Sequence, residues 1–427
     1  MLGHCWYNYP EGTPHKPSGT TFDHNSQGMQ IIIRWFYYAI AGWEKCPVTK
    51  EESLMVIENM DKTWHHIEYG TLNFEPVIPA ENHAGGEKGI RILVTGATGF
   101  LGSRLVKLLV QRGYRVRALA RKLSNIDKIK QLGIEIFFGD VGSKASIKPA
   151  FEGIDIVVHA AADTSGNKEA GEHSTVLGTT NIIDLCSAYK IKKLVYISSC
   201  NVYGVADYKK GALVTEKSSL ERFPERRGYY SDAKFQADQA IVNAIKKNQL
   251  SIVTLRPGMI FGPGGEVYTP MMGFSLGTRL FGIIGDGEFV LPLVYIDNLV
   301  DAIIAAIEKK ESGGKIYNVV DSDCLTKKQY VESLIKKLYP NAKCIYIPYS
   351  LFYLTVFMQE ILIRVIKRKP FLTRYRLVSS QKNILYDSTK IQRDLNWNPP
   401  VTTQEAIYNV IQYEKKGRNN KINNNAT

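Results

Sequence analysis

The sequence predicts an α/β fold: a doubly wound parallel sheet with a smaller C-terminal subdomain and an extra N-terminal segment. From Ile90 onward, short apolar runs alternate with amphipathic runs, and three regularly spaced glycines follow the first apolar run. Strands that alternate with crossover helices pair in parallel and carry helices on both faces. The 427 residues, 44% hydrophobic and 22% charged, suit a globular protein with more than one structural unit.

Each element is assigned from the spacing of its apolar residues. The expected strands are 90–95, 115–119, 134–138, 154–159, 193–198 and 252–256. The expected helices are 101–112, 125–132, 144–152, 170–189 and 229–247. Beyond Pro257 the chain becomes rich in glycine and proline, and we expect loops mixed with short helices there.

The same patterns divide the chain into five regions. They are an N-terminal extension 1–75, a linker 76–89, the sheet domain 90–257, a region 258–413 that is interleaved with the sheet and would bind a substrate, and a tail 414–427. In the extension, Thr49 and Glu52 offer a capping box that begins a helix. The tail is rich in lysine and asparagine, so we expect it to be disordered.

The first apolar run ends in a Gly-x-x-Gly-x-x-Gly turn that opens a helix. Strand, glycine turn and helix in this order are typical of the dinucleotide-binding loop of a Rossmann fold. One glycine allows a sharp turn, another allows close approach to a pyrophosphate, and the third allows helix and strand to pack closely. The loop residues expected to bind a cofactor are Gly96, Thr98, Gly99, Phe100, Leu101 and Gly102.

Two further patterns carry the candidate chemistry. Tyr230 and Lys234 are four residues apart on a predicted helix, so both lie on one face. A nearby ammonium favours the phenolate, and we expect Lys234 to lower the pKa of Tyr230 so that it can act as a general acid or base. Ser199 follows the apolar strand 193–198, at the sheet edge where ligands bind, and its hydroxyl can bond a substrate oxygen.

With these three motifs in this order, residues 90 to about 413 resemble the extended short-chain dehydrogenase/reductases, the epimerase/dehydratase group. The resemblance implies an oxidoreductase in which Ser199, Tyr230 and Lys234 are catalytic and Lys234 also holds the nicotinamide ribose. It implies further cofactor contacts at Asp140, Val141, Ala160, Ala161, Tyr230, Lys234 and Pro257. The chain departs from the family at Thr175, where an asparagine is common.

A second resemblance concerns residues 1–75. The run Pro-Val-Thr-x-Glu-Glu around Thr49 is similar to the C-terminal end of the glucose–fructose oxidoreductase family. The resemblance implies a remnant of another oxidoreductase, without its own nucleotide-binding half and without independent catalysis.

The choice between NADP and NAD depends on the end of the second strand. NAD sites usually have an acidic residue about 20 residues after the glycines, where it bonds the ribose 2′-hydroxyl. Here the strand ends in Arg121 and Lys122, and the next acidic residue is Asp127. A guanidinium suits a 2′-phosphate. NADP is therefore favoured, with NAD as the alternative.

Several features favour an apolar substrate. Met259 stands where members that act on nucleotide sugars usually have asparagine, and 285–292 lacks the basic residue that they tend to carry. A diphosphate buried without donors would be costly. The stretches 370–374 and 388–395 resemble the 3β-hydroxysteroid dehydrogenase-like branch, which implies a sterol or other lipid-like alcohol or ketone. The alternatives are a nucleoside-diphosphate-sugar epimerase or dehydratase and a non-catalytic NADP-binding scaffold or redox sensor.

The segment 349–366 predicts a broad apolar helix, followed by basic residues as far as Arg376. Gln359, Glu360 and Arg364 interrupt it too much for a membrane span. Two interpretations stay open: a buried lid helix, or an interfacial helix at an anionic membrane. The second would make residues 349–376 a peripheral membrane contact.

The remaining bulk properties indicate a basic enzyme. The net charge is +13, but no basic motif interleaved with aromatic residues indicates nucleic acid. Six scattered cysteines without Cys-x-x-Cys spacing fit reduced thiols, and no apolar signal segment opens the chain. We expect a cytoplasmic homodimer, membrane-associated if the helix is interfacial, that acts on a small molecule and binds no metal.

Overall fold

The computed structural model describes residues 77–78, 89–247, 250–365, 370 and 372–424. The helix expected after Thr49 and the resemblance to glucose–fructose oxidoreductases therefore lie outside the described residues. Four cysteines fall within them, and these are free thiols, as expected: Cys186, Cys200, Cys324 and Cys344.

The described residues form strands of two to six residues. They are β1 (Val77–Ile78), β2 (Arg91–Thr95), β3 (Arg115–Ala120), β4 (Glu135–Phe138), β5 (Ile156–His159), β6 (Lys193–Ile197), β7 (Leu213–Val214), β8 (Ile252–Pro257), β9 (Met259–Phe261), β10 (Gly273–Leu276), β11 (Leu280–Ile284), β12 (Leu293–Tyr295), β13 (Ile316–Val319), β14 (Lys343–Ile347) and β15 (Leu385–Tyr386). The six predicted strands correspond to β2–β6 and β8, with ends that differ by at most two residues.

Helices connect these strands. They are α1 (Phe100–Gln111), α2 (Asp127–Lys130), α3 (Lys144–Ile147), α4 (Lys168–Ala170), α5 (Gly178–Ala188), α6 (Tyr229–Lys246), α7 (Ile296–Glu308), α8 (Lys327–Tyr330), α9 (Lys336–Leu338), α10 (Tyr349–Val365), α11 (Arg374–Ser380), α12 (Thr389–Leu395) and α13 (Thr403–Asn424). π-Helical turns, Gly171–Leu177 and Val331–Ile335, join α4 to α5 and α8 to α9. The predicted helix 170–189 therefore contains the first of these turns.

The main sheet has eight strands in the order β1-β4-β3-β2-β5-β6-β8-β13. The strands from β4 to β13 in that order are parallel. Their side chains alternate between two faces: Ile92 and Val94 of β2 pack with α1 and α7, whereas Leu93 packs with α5 and α6. This is the doubly wound Rossmann architecture that the sequence predicts.

The strand order places the ligand-binding edge. After β2 the chain winds outward to β3 and β4, and then returns to β5 on the other side of β2. Open α/β sheets bind ligands at the carboxyl ends of the strands where this reversal occurs. The glycine turn after β2 and the segment after β5 therefore flank the candidate crevice.

The region after Pro257 contains more regular structure than the sequence predicts. Strands β10, β11 and β14 form a separate three-stranded sheet, β9 pairs with β12, and α7 is 13 residues long. The expectation of loops with short helices was wrong here. Strands of three to five residues that are interrupted by glycines have little local sequence signal. The pairing of β11 with β14 also depends on a segment about sixty residues further along the chain, which a local pattern does not indicate.

Two of the predicted regions also differ from the structure. Val77 and Ile78 fall within the expected linker but pair antiparallel with β4 as an edge strand, and two β-branched residues between prolines suit such an edge. The helix α13 continues to Asn424, through most of the tail expected to be disordered. Its buried start, with Ala406 and Val410 in a hydrophobic cluster, nucleates the polar turns that follow.

Candidate active site

In the glycine turn, neighbouring backbone atoms leave no room for a side chain at Gly96 or Gly102. Gly96 has a φ of +68°, and a Cβ on it would lie 2.8 Å from the backbone nitrogen of Ala161. A Cβ on Gly102 would lie 2.0 Å from the carbonyl oxygen of Gly96. The turn thus brings the end of β2, the start of α1 and the predicted pair Ala160 and Ala161 into direct contact.

The start of α1 suits a pyrophosphate. Its N-cap, Gly99, makes no side-chain capping bond, and its first turn contains no acidic residue. The N–H groups and the positive end of the helix dipole are then available to an anion. The side chains of Phe100 and Leu101 pack into hydrophobic clusters, so these two predicted residues can offer only backbone groups. Together with the glycine cradle, these features fit a dinucleotide.

Asp140 and Val141, two of the predicted cofactor contacts, lie just after the end of β4. Asp140 Oδ1 accepts the N–H of Gly142 at 2.8 Å, and Oδ2 lies 3.1 Å from His173 Nε2. The carbonyl of Val141 accepts a bond from Asn181 Nδ2 at 2.9 Å. The segment is therefore fixed at the same sheet edge as the glycine turn. Arg121, just after the end of β3, is exposed at this edge.

The structure brings together the three residues that the sequence predicts to be catalytic. Tyr230 lies in the first turn of α6, and its hydroxyl is close enough to that of Ser199, just after β6, for Ser199 to favour the phenolate. One helical turn further, Lys234 Nζ donates to the carbonyl of Ile197 at 3.0 Å. A proton donor, a hydroxyl and an ammonium group thus meet at the carboxyl edge of the sheet.

The pKa values of this group are set mainly by burial. Burial lowers the pKa of Lys234 to about 8, although the negative charge of Asp238 opposes the shift. Burial also raises the pKa of Tyr230, and the nearby Ser199 hydroxyl only partly offsets that effect. We expected Lys234 to lower the pKa of Tyr230, and that expectation was wrong because desolvation of the phenolate dominates.

A buried polar network lies behind these three residues. Asp238, which is inaccessible to solvent, accepts from Ser198 Oγ at 2.5 Å and from Arg256 Nη2 at 2.6 Å. Arg256 Nη1 also donates to the hydroxyl of Tyr203 at 3.0 Å. The network connects β6, α6 and β8, and so fixes the helix that carries Tyr230 relative to the strand that precedes Ser199.

A second buried network supports the turn between β2 and β5. His159 lies 2.7 Å from Thr95 Oγ1 through Nδ1 and 3.1 Å from Thr179 Oγ1 through Nε2. Burial, with a smaller contribution from Lys234, lowers the pKa of His159 to about 3, so the ring is neutral. Thr175, where the family often has asparagine, accepts the N–H of Asp163 at 2.9 Å and anchors the loop after β5.

Asp238 and Ser198 are the site residues that the sequence analysis missed. Asp238 is four residues after Lys234, on the same helical face, and that spacing could have indicated it. The sequence analysis places Ser198 only at the end of the expected strand 193–198, without a role in the site. Its role depends on a contact with α6, which no local pattern predicts.

Comparison with known proteins identifies the family of this chain. The NAD dependent epimerase/dehydratase family matches residues 92–319, which extend from β2 to β13. The chain belongs to this family. The match spans more than half of the 427 residues and confirms the resemblance to the extended short-chain dehydrogenase/reductases. The protein is accordingly an NAD(P)-dependent enzyme of the dehydrogenase, reductase and epimerase type.

Two curated relatives bear names from sterol and steroid chemistry. The chain is 30% identical over 347 residues to 3beta-hydroxysteroid-dehydrogenase/decarboxylase isoform 1 of Arabidopsis thaliana, which covers 75% of this chain and 78% of that protein. It is 28% identical over 344 residues to the decarboxylating sterol-4-alpha-carboxylate 3-dehydrogenase of Mus musculus, which covers 76% and 91%. These matches place the chain near the 3β-hydroxysteroid dehydrogenase-like branch.

A solved structure supports the fold. The UDP-glucuronic acid 4-epimerase from Bacillus cereus, in complex with NAD, superposes with a TM-score of 0.60 at 21% identity. The match covers 77% of this chain and 99% of that chain. At this identity the likeness concerns the architecture alone.

Replacing Asp238 with asparagine tests the buried network. Asp238→Asn leaves the Arg256 cation buried without its counter-charge, which should lower the free energy of unfolding by about 3–5 kcal/mol. The matched control is Asp184→Asn in the exposed pair Lys144–Asp184, where the change should stay within about 1 kcal/mol. Denaturant unfolding measures both. Equal small effects would show that the network contributes nothing to stability.

The pKa of Lys234 generates a second prediction. Below about pH 8 the side chain is protonated, and above it the ammonium is lost. If the ammonium holds the nicotinamide ribose, dinucleotide affinity should fall as the pH rises through about 8. Lys234→Arg should keep its charge and remove this fall. Fluorescence titration of the reduced dinucleotide at a series of pH values measures it, and an affinity independent of pH would contradict the assignment.

Proposed function

We propose that this protein is an NADP-linked oxidoreductase that transfers a hydride at a hydroxyl or carbonyl carbon of a sterol-like or other lipid-like substrate. The observation that carries the proposal is the contact between Tyr230 and Ser199, one helical turn from Lys234, at the sheet edge beside the glycine turn. The bound nicotinamide would supply or accept the hydride. The protein then has to orient the substrate and move a proton.

Each of the three residues has a proposed part in that proton transfer. The Tyr230 hydroxyl gives a proton to a carbonyl oxygen in reduction, or takes one from a hydroxyl in oxidation. The Ser199 hydroxyl bonds the same oxygen and stabilises charge that develops on it. Lys234 holds the nicotinamide ribose. In the free protein, burial raises the pKa of the Tyr230 phenol above its ordinary value, so the hydroxyl carries the proton near neutral pH.

The C-terminal region supports a lipid-like substrate. Met259 lies two residues after Pro257, and Met271 and Phe289 are partly buried with it around one hydrophobic cluster. Such side chains offer apolar contact but no donors for a diphosphate. Two relatives are also named as a sterol and a hydroxysteroid dehydrogenase. Among the described residues, no comparable contact supports the nucleotide-sugar or the non-catalytic alternative.

Finer features of the proposal rest on single observations. NADP is favoured over NAD because Arg121 is exposed at the end of β3, where a 2′-phosphate would lie. Peripheral membrane contact through residues 349–376 is supported by the exposure of α10. The homodimer and the cytoplasmic location stay predictions.

Tyr230→Phe tests the catalytic assignment. Removal of the phenolic hydroxyl should lower kcat by about 10²–10⁴-fold, because it removes the acid or base, while dinucleotide affinity stays the same. Tyr229→Phe, one residue earlier on the same helix, is the matched control and should keep full activity. Turnover of sterol and ketone substrates and dinucleotide titration measure the two effects.

The same assays separate the alternatives. If Tyr230→Phe turns over every substrate class as fast as the wild type, the catalytic assignment is wrong. If calorimetry gives micromolar affinity for a UDP-sugar, the apolar-substrate proposal fails and the epimerase or dehydratase alternative replaces it.

Arg121→Ala tests the cofactor preference. Loss of a charge-assisted bond to the 2′-phosphate should weaken NADP binding by roughly tenfold to a hundredfold and leave NAD binding unchanged. Lys130→Ala, an exposed cation on α2, is the control and should change neither. Equal affinities of NADP for wild type and Arg121→Ala would contradict the preference.

A further inference from the structure

Arg227 lies three residues before Tyr230, in the 3₁₀ turn Pro224–Arg227 that leads into α6. Its side chain is only 9% exposed, against 58% for Arg226 in the same turn. Burial lowers the pKa of Arg227, so its positive charge is held in a place that disfavours it. A charge that a fold retains at such a disadvantage is a candidate for a role in function.

The guanidinium bonds the backbone just after Ser199. Arg227 Nη1 donates to the carbonyl of Asn201 at 2.7 Å and to the carbonyl of Tyr203 at 3.0 Å. Both carbonyls belong to the 3₁₀ turn Cys200–Val202 and the residue that ends it. One side chain thereby joins the start of α6 to the segment that follows Ser199.

This segment in turn fixes the Ser199 hydroxyl. Ser199 caps the turn, and its Oγ accepts the N–H of Asn201 at 3.2 Å. Asn201 is therefore held at both of its backbone groups, the N–H by Ser199 and the carbonyl by Arg227. A serine hydroxyl has one donor and two acceptor sites. Because Oγ accepts from Asn201, its own O–H stays available to donate to a substrate oxygen.

Glu221 supplies a counter-charge for Arg227 but does not set its orientation. The Glu221 side chain is 2% exposed, and its Oε2 lies 3.8 Å from Arg227 Nη1. No described residue forms a hydrogen bond with Oε2. The shorter contacts of Nη1 are with the two backbone carbonyls, and these carbonyls therefore determine where the guanidinium lies.

The C-terminal region holds Glu221 in place. Glu221 Oε1 accepts the N–H of Phe223 at 3.0 Å and the hydroxyl of Tyr375, on α11, at 2.5 Å. The ring of Tyr375 also meets the ring of Phe223 edge to face. A continuous series of contacts thus connects α11 with Glu221, then with Arg227, and then with the turn that Ser199 caps.

These contacts complement the Asp238 network. That network joins α6 to β6 and β8 through groups that come before Ser199 or after Tyr230 in the chain. Arg227 joins the two segments on the other side, after Ser199 and before Tyr230. The two hydroxyl groups are therefore fixed relative to each other from both directions along the chain.

We propose that Arg227 is a positioning residue, which holds the Ser199 hydroxyl against Tyr230 in the geometry that proton transfer requires. Glu221 and Tyr375 support it. The effect on turnover rests on the proposed function, whereas the effect on the position of Ser199 rests on the hydrogen bonds alone.

Arg227→Met in the full chain tests the proposal, because methionine keeps part of the side chain's length and removes every donor. Displacement of Ser199 should lower kcat by about tenfold to a hundredfold and leave KM and dinucleotide affinity within about twofold. Arg227→Lys restores a cation that can donate to one carbonyl, and should recover most of the loss. Arg226→Met, at the exposed neighbour, is the matched control and should keep the wild-type kcat.

A double-mutant cycle separates positioning from general support of the fold. If Arg227 acts through Ser199, Arg227→Met should have little further effect once Ser199 is replaced by alanine. The double variant should then turn over at about the rate of Ser199→Ala. If the two single effects multiply instead, Arg227 acts independently of Ser199 and the proposal is overturned.

The phenolic carbon of Tyr230 reports the same geometry without turnover. In protein that contains isotope-labelled tyrosine, its nuclear magnetic resonance signal is identified by its absence from Tyr230→Phe. Arg227→Met and Ser199→Ala should shift this signal alike, and Arg226→Met should leave it in place. An unshifted signal in Arg227→Met would overturn the proposal. A shifted signal with wild-type turnover in both variants would confirm the positioning and refute the proposed chemistry.

Circular dichroism shows whether each variant folds. If Arg227→Met does not, Tyr375→Phe replaces it, because this change removes one hydroxyl from Glu221 and leaves the Arg227 side chain intact. Tyr375→Phe should shift the Tyr230 signal in the same direction as Ser199→Ala, by a smaller amount. A signal that stays at its wild-type position in Tyr375→Phe and in Arg227→Lys would also contradict the proposal.

Discussion

The hydrogen bond from Lys234 Nζ to the carbonyl of Ile197 holds the candidate site together. It joins α6 to the end of β6, so that Tyr230, one helical turn earlier, lies against Ser199. Because this ammonium is buried, its charge is costly, and its pKa falls to about 8. The nearby carboxylate of Asp238 reduces that cost. Buried charges that lower stability are common where a fold serves a function.

The sequence was sufficient where the signal is local. The parallel strands are continuous apolar runs, the glycine turn has its own spacing, and Tyr230 and Lys234 share a helical face by their separation alone. Each of these features depends on residues within about ten positions of one another. Because these strands run parallel, their carboxyl ends then lie at one edge of the sheet.

The sequence was insufficient where a partner lies far along the chain. Strand β14 pairs with β11, and Asp238 meets Arg256, only after the chain has folded. The direction of the Tyr230 pKa shift depends on burial, which spacing does not determine. For α10, apolar residues on nearly every side fit a buried lid and an interfacial helix equally well. Only the tertiary packing shows that Val356 is buried and Leu362 exposed.

A crystal structure of the protein with reduced NADP tests the central claim most directly. The account predicts the pyrophosphate at the start of α1, Lys234 Nζ within hydrogen-bond distance of the nicotinamide ribose, and the nicotinamide ring facing the Tyr230 hydroxyl. A dinucleotide bound elsewhere, or one whose nicotinamide ring lies away from Tyr230 and Ser199, would contradict it.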